Sequence, residues 1–292
     1  MKYVKRFRVA PGSKVKLKDV DPGFKDHHKG HKEAAEEMEQ HQKKLRELQE
    51  LLYADGQCSL LICLQGMDTG GKDGTINHIL GAMNPQGCRV VGFRQPSAEE
   101  LAHDFLWRIH QATPPRGKVA IFNRSHYEDV LVARVDKLVP KDVWKSRFEQ
   151  INDFERLLIA NGTIVLKFFL YISKDQQRER LMARENDREK AWKLSRTDWV
   201  TFDKYDAYID AYEDVLEKCS PPEAPWYIVP ANHKWYRNLA VAHTIDDALE
   251  PYSHDWRAKL RERGERILKE IADQRRGEPP ERSRRDRVLS DG

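Results

Sequence analysis

Two periods of hydrophobicity divide the chain. From Lys32 to Ala54, Met38, Leu45, Leu48 and Leu52 fall on three- and four-residue steps with charges opposite, which predicts an amphipathic helix. Such a stripe can be a dimer seam, but packing on the chain's own core is the commoner outcome. Beyond it come short apolar runs: SLLICLQ (59–65), CRVVGF (88–93), KVAIFN (118–123), IVLKFFLYI (164–172) and PWYIVP (225–230). Near-continuous Val, Ile and Phe suits strands buried on both faces of a parallel sheet. Helical stretches separate them. Residues 97–112 open on the capping box Ser97-x-x-Glu100, and residues 140–161 start at Pro140 and stop before Gly162. Strand and helix alternating five times predict a doubly wound α/β domain with a five-stranded parallel sheet.

The two ends have a different character. Residues 1–30 are basic, broken by Gly and Pro, and predict an irregular arm on the surface. His27, His28 and His31 lack carboxylate or Cys partners there and read as a solvated histidine run rather than a metal site. After Pro251 the pattern predicts a charged helix, then a Pro-, Gly- and charge-rich tail over 276–292 that reads as disordered. The expected division is an arm (1–30), one catalytic-type domain (31–255) and a charged helix with its tail (256–292).

Composition narrows the class. At 39% hydrophobic and 34% charged residues over 292, the chain predicts a globular, polar-surfaced protein. Lys and Arg exceed Asp and Glu by only 51 to 47, which does not suggest a general nucleic-acid binder. Cys58, Cys63, Cys88 and Cys219 have no zinc spacing and fit reduced thiols. The start MKYVKRFRVA lacks a signal-peptide core, and no run approaches the roughly 20 apolar residues needed to cross a membrane. A cytoplasmic location is expected.

The chemistry begins at LLICLQGMDTGGKDG (60–74). From Gly66 to Lys72 it fits the phosphate-loop pattern G-x-x-x-x-G-K, but Asp73 stands where Ser or Thr usually ligates magnesium. The context fits: a strand leads in and a helix follows from about Lys72. Gly66, Thr69, Gly70, Gly71, Gly74 and Thr75 frame backbone N–H groups around an anion, and Lys72 reaches terminal phosphates. A carboxylate beside bound phosphate implies a cation between them. Asp68 therefore argues for Mg²⁺ held by side-chain oxygens, whereas Asp73 can simply cap the helix.

A second constellation follows the third strand, in IFNRSHYEDV. Asn123, Arg124, Ser125, His126, Tyr127, Glu128 and Asp129 crowd the end where ligands bind in open α/β sheets. Asn123 stands where many phosphate-loop enzymes carry a metal-binding Asp, the acids having moved to Glu128 and Asp129. Arg124 fits a clamp on a transferring phosphoryl group. A third stretch, 177–199, carries Arg178, Arg180, Arg184, Arg188, Lys190, Lys193 and Arg196 among acids. After the fourth strand, such a cluster suits a mobile lid closing over phosphates.

Together, GMDTGGKDG, FNRSHYEDV and RERLMARENDREKAWKLSRTDW followed by FDKYDAYIDAYEDVL resemble the polyphosphate kinase 2 family over about residues 10–255. The resemblance implies a thymidylate-kinase-like core with a helical lid at about 175–200. It also implies Mg²⁺-dependent phosphoryl transfer, with Mn²⁺ as a substitute, between inorganic polyphosphate and adenine or guanine nucleotides, in a homodimer or homotetramer. Position by position, Asp68 and Asp129 look like the Mg²⁺ carboxylates, Lys72 the loop lysine, Arg124 the grip on the transferred group, and Arg178 and Lys193 lid cations. Arg184 joins the lid set. Asn123, Arg124 and Glu128 look like nucleotide contacts. Many members carry RSWYNR where this chain has RSHYED, a variant similar to the subgroup accepting both AMP and ADP. A polyanion also needs cations along its path, for which Arg116 and Lys118 in TPPRGK are candidates alongside the arm and lid.

Two other classes compete. An ATP-dependent nucleoside monophosphate kinase would share fold and loop without needing cations beyond a triphosphate's reach. A nucleotide-gated binding protein would gain little from an arginine poised on a transferring group.

Overall fold

The computed structural model describes residues 3–28, 30–189 and 191–276, apart from the side chains of Tyr3, Val4, Lys193 and Arg196. Five strands, β1 (Ser59–Gln65), β2 (Cys88–Gly92), β3 (Val119–Asn123), β4 (Thr163–Tyr171) and β5 (Trp226–Pro230), form one sheet in the order β2-β3-β1-β4-β5. All pairings are parallel. Every residue of β1 is buried, as its unbroken apolar run requires.

The longer helices are α1 (His31–Asp55), α2 (Lys72–Ala82), α3 (Lys141–Ala160), α4 (Lys174–Glu185), α5 (Arg196–Asp203), α6 (Tyr205–Lys218) and α7 (Lys234–Arg276). Alternate strand residues divide the core. Leu60, Ile62 and Leu64 pack with α1, α2 and α7, while Leu61, Cys63 and Phe122 pack with Phe154 and Leu158 of α3. The α1 stripe of Met38, Leu45, Leu48 and Leu52 is buried in the first of these layers, within the chain's own core.

Three expectations change. Residues 97–112 form two short helices, Ala98–Leu101 and Trp107–Gln111, because Asp104 Oδ1 accepts from the Leu106 N–H (2.9 Å) in a turn that restarts the helix. The capping box at Ser97 is present. Helix α7 runs unbroken through Pro251 and past residue 255. A proline removes one backbone donor, but Leu249, Ser253 and Trp256 are buried on both sides of it, and their packing outweighs the loss. The arm is also less peripheral than its composition implies. Phe7, Val9 and Leu17 enter the core, and an antiparallel bridge from Arg8 to Tyr227 covers the open edge of β5.

Among the described residues no helix is long and apolar enough to cross a membrane. The four cysteines are unpaired by disulfides, two fully and two partly buried. The tail beyond residue 276 lies outside the described residues.

Candidate active site

The register pairs Leu64 with Asn123, so the exits of β1 and β3 end level, beside the point where the strand order reverses. From the β1 exit the backbone turns through Gly66 (φ 157°), Thr69 (φ 64°) and Gly71 (φ 103°) before α2 begins at Lys72. Left-handed φ at a threonine is strained, a cost that persists where surrounding structure over-determines the loop.

Two arginines supply that over-determination. Arg180 of α4 donates through Nη1 to the Thr69 carbonyl (2.9 Å) and through Nη2 to the carbonyls of Ala231 and Asn232. It thereby fastens the loop to the exit of β5. Arg237 of α7 is 2% exposed and donates to the Gly70 carbonyl and Asn238 Oδ1, neither of which is charged. A Cβ at Gly71 would collide with the Arg237 guanidinium, so glycine is required there for space as well as for φ. Burial, and then Arg180, pushes the Arg237 pKa below its ordinary range.

Lys72 Nζ donates to the carbonyls of Gly66 (2.7 Å) and Met67 (3.3 Å). Burial, and then the Arg124 guanidinium, holds its ammonium down at about 8. The Asp73 carboxylate accepts from Asn123 Nδ2 (2.9 Å), joining the two strand exits. Thr75 Oγ1 donates to the Gly71 carbonyl and closes the first turn of α2.

At the β3 exit Arg124 adopts φ 64°, and its N–H donates to the Leu64 carbonyl. That left-handed turn aims the side chain back across the sheet. Nη2 reaches Asp68 Oδ1 at 2.6 Å, and Nη1 reaches Glu128 Oε2 at 3.2 Å. Glu128, and more weakly Asp68, raise the Arg124 pKa, against burial. Asp129 turns elsewhere: Arg147 donates to both its carboxylate (3.2 Å) and its carbonyl. Burial raises the Asp129 carboxyl, against Arg147 and Arg108. The carboxylates gathered by one guanidinium are therefore Asp68 and Glu128, not the Asp68 and Asp129 pair expected to hold a metal. Asp198 of α5 adds a third acid, raised by burial and then by Asp68.

Most expected residues converge: Gly66, Asp68, Thr69, Gly70, Gly71, Lys72, Asp73, Gly74 and Thr75 with Asn123, Arg124 and Glu128. Arg116 and Lys118 do not. They precede β3, at the opposite end of the strands, and β3 is five residues long. At about 3.3 Å per residue that places them on the order of 16 Å from the site. Lys118 instead donates to the Gln86 carbonyl and lies over the Tyr53 ring. On α4, Arg178 is exposed, while Arg184 is half-buried and lies near enough to Asp198 and Arg180 to bias both. The side chain of Lys193 lies outside the described residues. The sequence does not single out Arg147, Asp198 and Arg237 as site residues, and Arg180, which it places among the lid cations, braces the loop instead. For Arg237, an arginine within the apolar stretch WYRNLAVA was the available signal.

A buried polar hub supports the β3 exit from behind. Lys167, within β4, is fully buried and donates to Glu155 Oε2 (2.5 Å), Tyr127 Oη (3.0 Å) and the Cys219 carbonyl (2.8 Å). Glu155 Oε1 accepts from Tyr127 Oη (2.7 Å), with His126 Nε2 at 3.1 Å. Burial alone would raise the Glu155 carboxyl, but Lys167 and then His126 outweigh it and hold it low. His126, one of the three residues that depart from the commoner motif, thus faces Glu155 in the interior. Lys167→Ala leaves Glu155 buried without its cation and is expected to cost about 3–5 kcal/mol in chemical denaturation.

A family model, "Polyphosphate kinase 2 (PPK2)", matches residues 28–256. The chain belongs to the polyphosphate kinase 2 family. It is 48% identical over 248 residues to an AMP/ADP-polyphosphate phosphotransferase of Meiothermus ruber, covering 85% of this chain and 93% of that one. It is 42% identical over 262 residues to an ADP-polyphosphate phosphotransferase of Rhodopseudomonas palustris, covering 84% and 89%. The crystal structure of polyphosphate kinase 2 from Arthrobacter aurescens TC1 superposes with a TM-score of 0.82 at 42% identity, over 86% of this chain and 90% of that one. The five-stranded parallel sheet and its flanking helices are thus the polyphosphate kinase 2 fold.

Proposed function

We propose that this polyphosphate kinase 2 transfers phosphoryl groups reversibly between inorganic polyphosphate and AMP or ADP. The observation that carries it is Arg124, held between Asp68 and Glu128 at the joint exit of β1 and β3, facing a phosphate loop whose lysine rests on backbone carbonyls. Phosphoryl transfer needs positioning and charge neutralisation more than covalent help. The loop N–H groups and Lys72 hold one phosphate chain. Arg124 stabilises charge on the transferring group, and α4 brings Arg178 and Arg184 over it. With Arg116 and Lys118 at the far end of the strands, the cations proposed for the polymer are those of the loop and lid.

Asp68 and Glu128 offer the hard oxygen donors Mg²⁺ prefers, beside a loop built for phosphate, and they would hold it. When bound, Mg²⁺ supplies the positive charge that lets carboxylates and phosphates share one site. Glu128→Gln and Asp68→Asn should each lower kcat by at least about 100-fold. Asp129→Asn, acting through Arg147, should change it less than about tenfold. Equal losses at 128 and 129 in steady-state assays would move the metal to Asp129.

The similarity to the Meiothermus ruber enzyme, together with the RSHYED segment, supports a dual acceptor range. AMP and ADP are offered separately with Mg²⁺ and long-chain polyphosphate. ADP followed by ATP from AMP, and ATP from ADP, are expected; product from ADP alone would discard the monophosphate activity.

A further inference from the structure

We infer that His27, His28 and Glu37 form a second metal site, for a divalent transition metal of the zinc class, which clasps the N-terminal arm to α1. Folding supplies what the local sequence lacks. Glu37, in the second turn of α1, brings a carboxylate to the histidine pair, and one ligand atom from each of the three residues lies within 4.8 Å of the others.

The pieces have the form of a site rather than of a solvated run. His28 is 5% exposed, with Nε2 3.0 Å from Glu37 Oε2. Donors bound to zinc at about 2.1 Å stand about 3.0–3.4 Å from one another, so this pair already spans one edge of a coordination shell. The His27 ring lies 4.1 Å from that of His28, tilted by 36°. The chain turns at Asp26, with φ 53°, just before the two histidines. A single histidine–carboxylate pair would account for His28 but not for His27 beside it. His27 is itself 73% exposed, which leaves a solvent-facing position for water.

Charged groups stand behind both kinds of ligand. Asp26 Oδ1 stands 3.8 Å from His27 Nδ1, and His41 Nε2 stands 3.8 Å from the second oxygen of Glu37. His41 is in turn anchored through Nδ1 to buried Asp246 of α7 at 2.6 Å. A carboxylate behind a ligating histidine is the usual support of zinc-type sites. His31, the third histidine of the run, is exposed and outside the set. The clasp also has a place in the fold. A few residues earlier, the Pro22 carbonyl accepts from the Asn232 N–H, and the Asn232 carbonyl accepts from Arg180, which holds the phosphate loop. The site would thus secure the arm against the segment that braces the loop.

The full-length protein, stripped with chelator, is titrated with Zn²⁺ by calorimetry and with Co²⁺ by visible absorption, both in excess Mg²⁺ to keep the Asp68 and Glu128 region occupied. One equivalent should bind, Co²⁺ should develop d–d bands of a histidine-ligated site, and Zn²⁺ should raise the melting temperature. His27→Ala, at an exposed position that does not threaten folding, should weaken Zn²⁺ binding at least about tenfold and abolish the thermal shift, as should Glu37→Gln. Absence of stoichiometric binding in the parent, or unchanged binding in folded His27→Ala, would overturn the assignment.

Discussion

Arg124→Gly should abolish almost all phosphotransfer while leaving the protein about as stable as its parent. An arginine on a transferring phosphoryl group contributes on the order of 10³–10⁵ in kcat, and the fall should lie in that range. Stability follows a different balance. The Arg124 side chain is 37% exposed, so its pairs with Asp68 and Glu128 are screened and worth about 1 kcal/mol or less each. Against that loss, φ 64° costs an arginine about 1–3 kcal/mol and a glycine almost nothing. The two nearly cancel, and the melting temperature should move by no more than a few degrees. Single-turnover rates and calorimetry on the same preparation separate the effects. A variant that keeps parental kcat would remove Arg124 from the chemistry, and one that fails to fold would make its role structural.

Affinity for polyphosphate should hold steady up to about pH 8 and fall above it, because Lys72 loses its proton there in the free protein. The sign follows from the direction of the shift. The folded-state value lies below the ordinary 10.5, so the charged lysine in an unliganded loop opposes folding, fully below pH 8 and less as pH rises toward 10.5. The gap of about 2.5 units corresponds to about 3 kcal/mol. Bound phosphates reverse the balance, since an anion beside the ammonium favours its charged form. Binding above pH 8 should therefore take up a proton and weaken by up to about tenfold per pH unit. Lys72→Arg, which stays protonated, should bind with a flat profile over the same range. Calorimetry at pH 7, 8 and 9 in two buffers of different ionisation enthalpy measures both affinity and proton uptake. A parental profile that stays flat to pH 9, with no proton taken up, contradicts the assignment of Lys72 to the phosphates.

Much of this arrangement is legible in the sequence. The five apolar runs are the five strands; four are buried on both faces, as continuous apolar runs require, while β2, at the edge of the sheet, is largely exposed, with Val90 facing solvent. The loop from Gly66 and the exit at Asn123 could be placed because each follows such a run. What was not legible depends on long-range contact. Arg180 and Arg237 brace the loop from α4 and α7, more than a hundred residues away; the basic cluster at 177–199 contains Arg180 without showing that it turns to the loop, and no local spacing marks Arg237. Glu128 and Asp129 are neighbours, and only the geometry of the Arg124 turn decides which faces Asp68. Lys167 lies in an apolar strand, where its charge has no local partner; Glu155, on α3, makes it the centre of a buried hub. Arg116 and Lys118 show a different failure. Their position just before β3 puts them at the other end of the strands from the ligand site, and charge alone does not distinguish the two ends.

The most direct test offers the protein ADP, Mg²⁺ and long-chain polyphosphate, with no ATP, and follows nucleotide and chain length together. ATP should appear in step with phosphate lost from the polymer, and the signal should vanish in Arg124→Gly. If ADP stays unchanged until ATP is supplied with AMP, and transfer then begins, the protein is an ordinary nucleotide kinase and polyphosphate is not its donor.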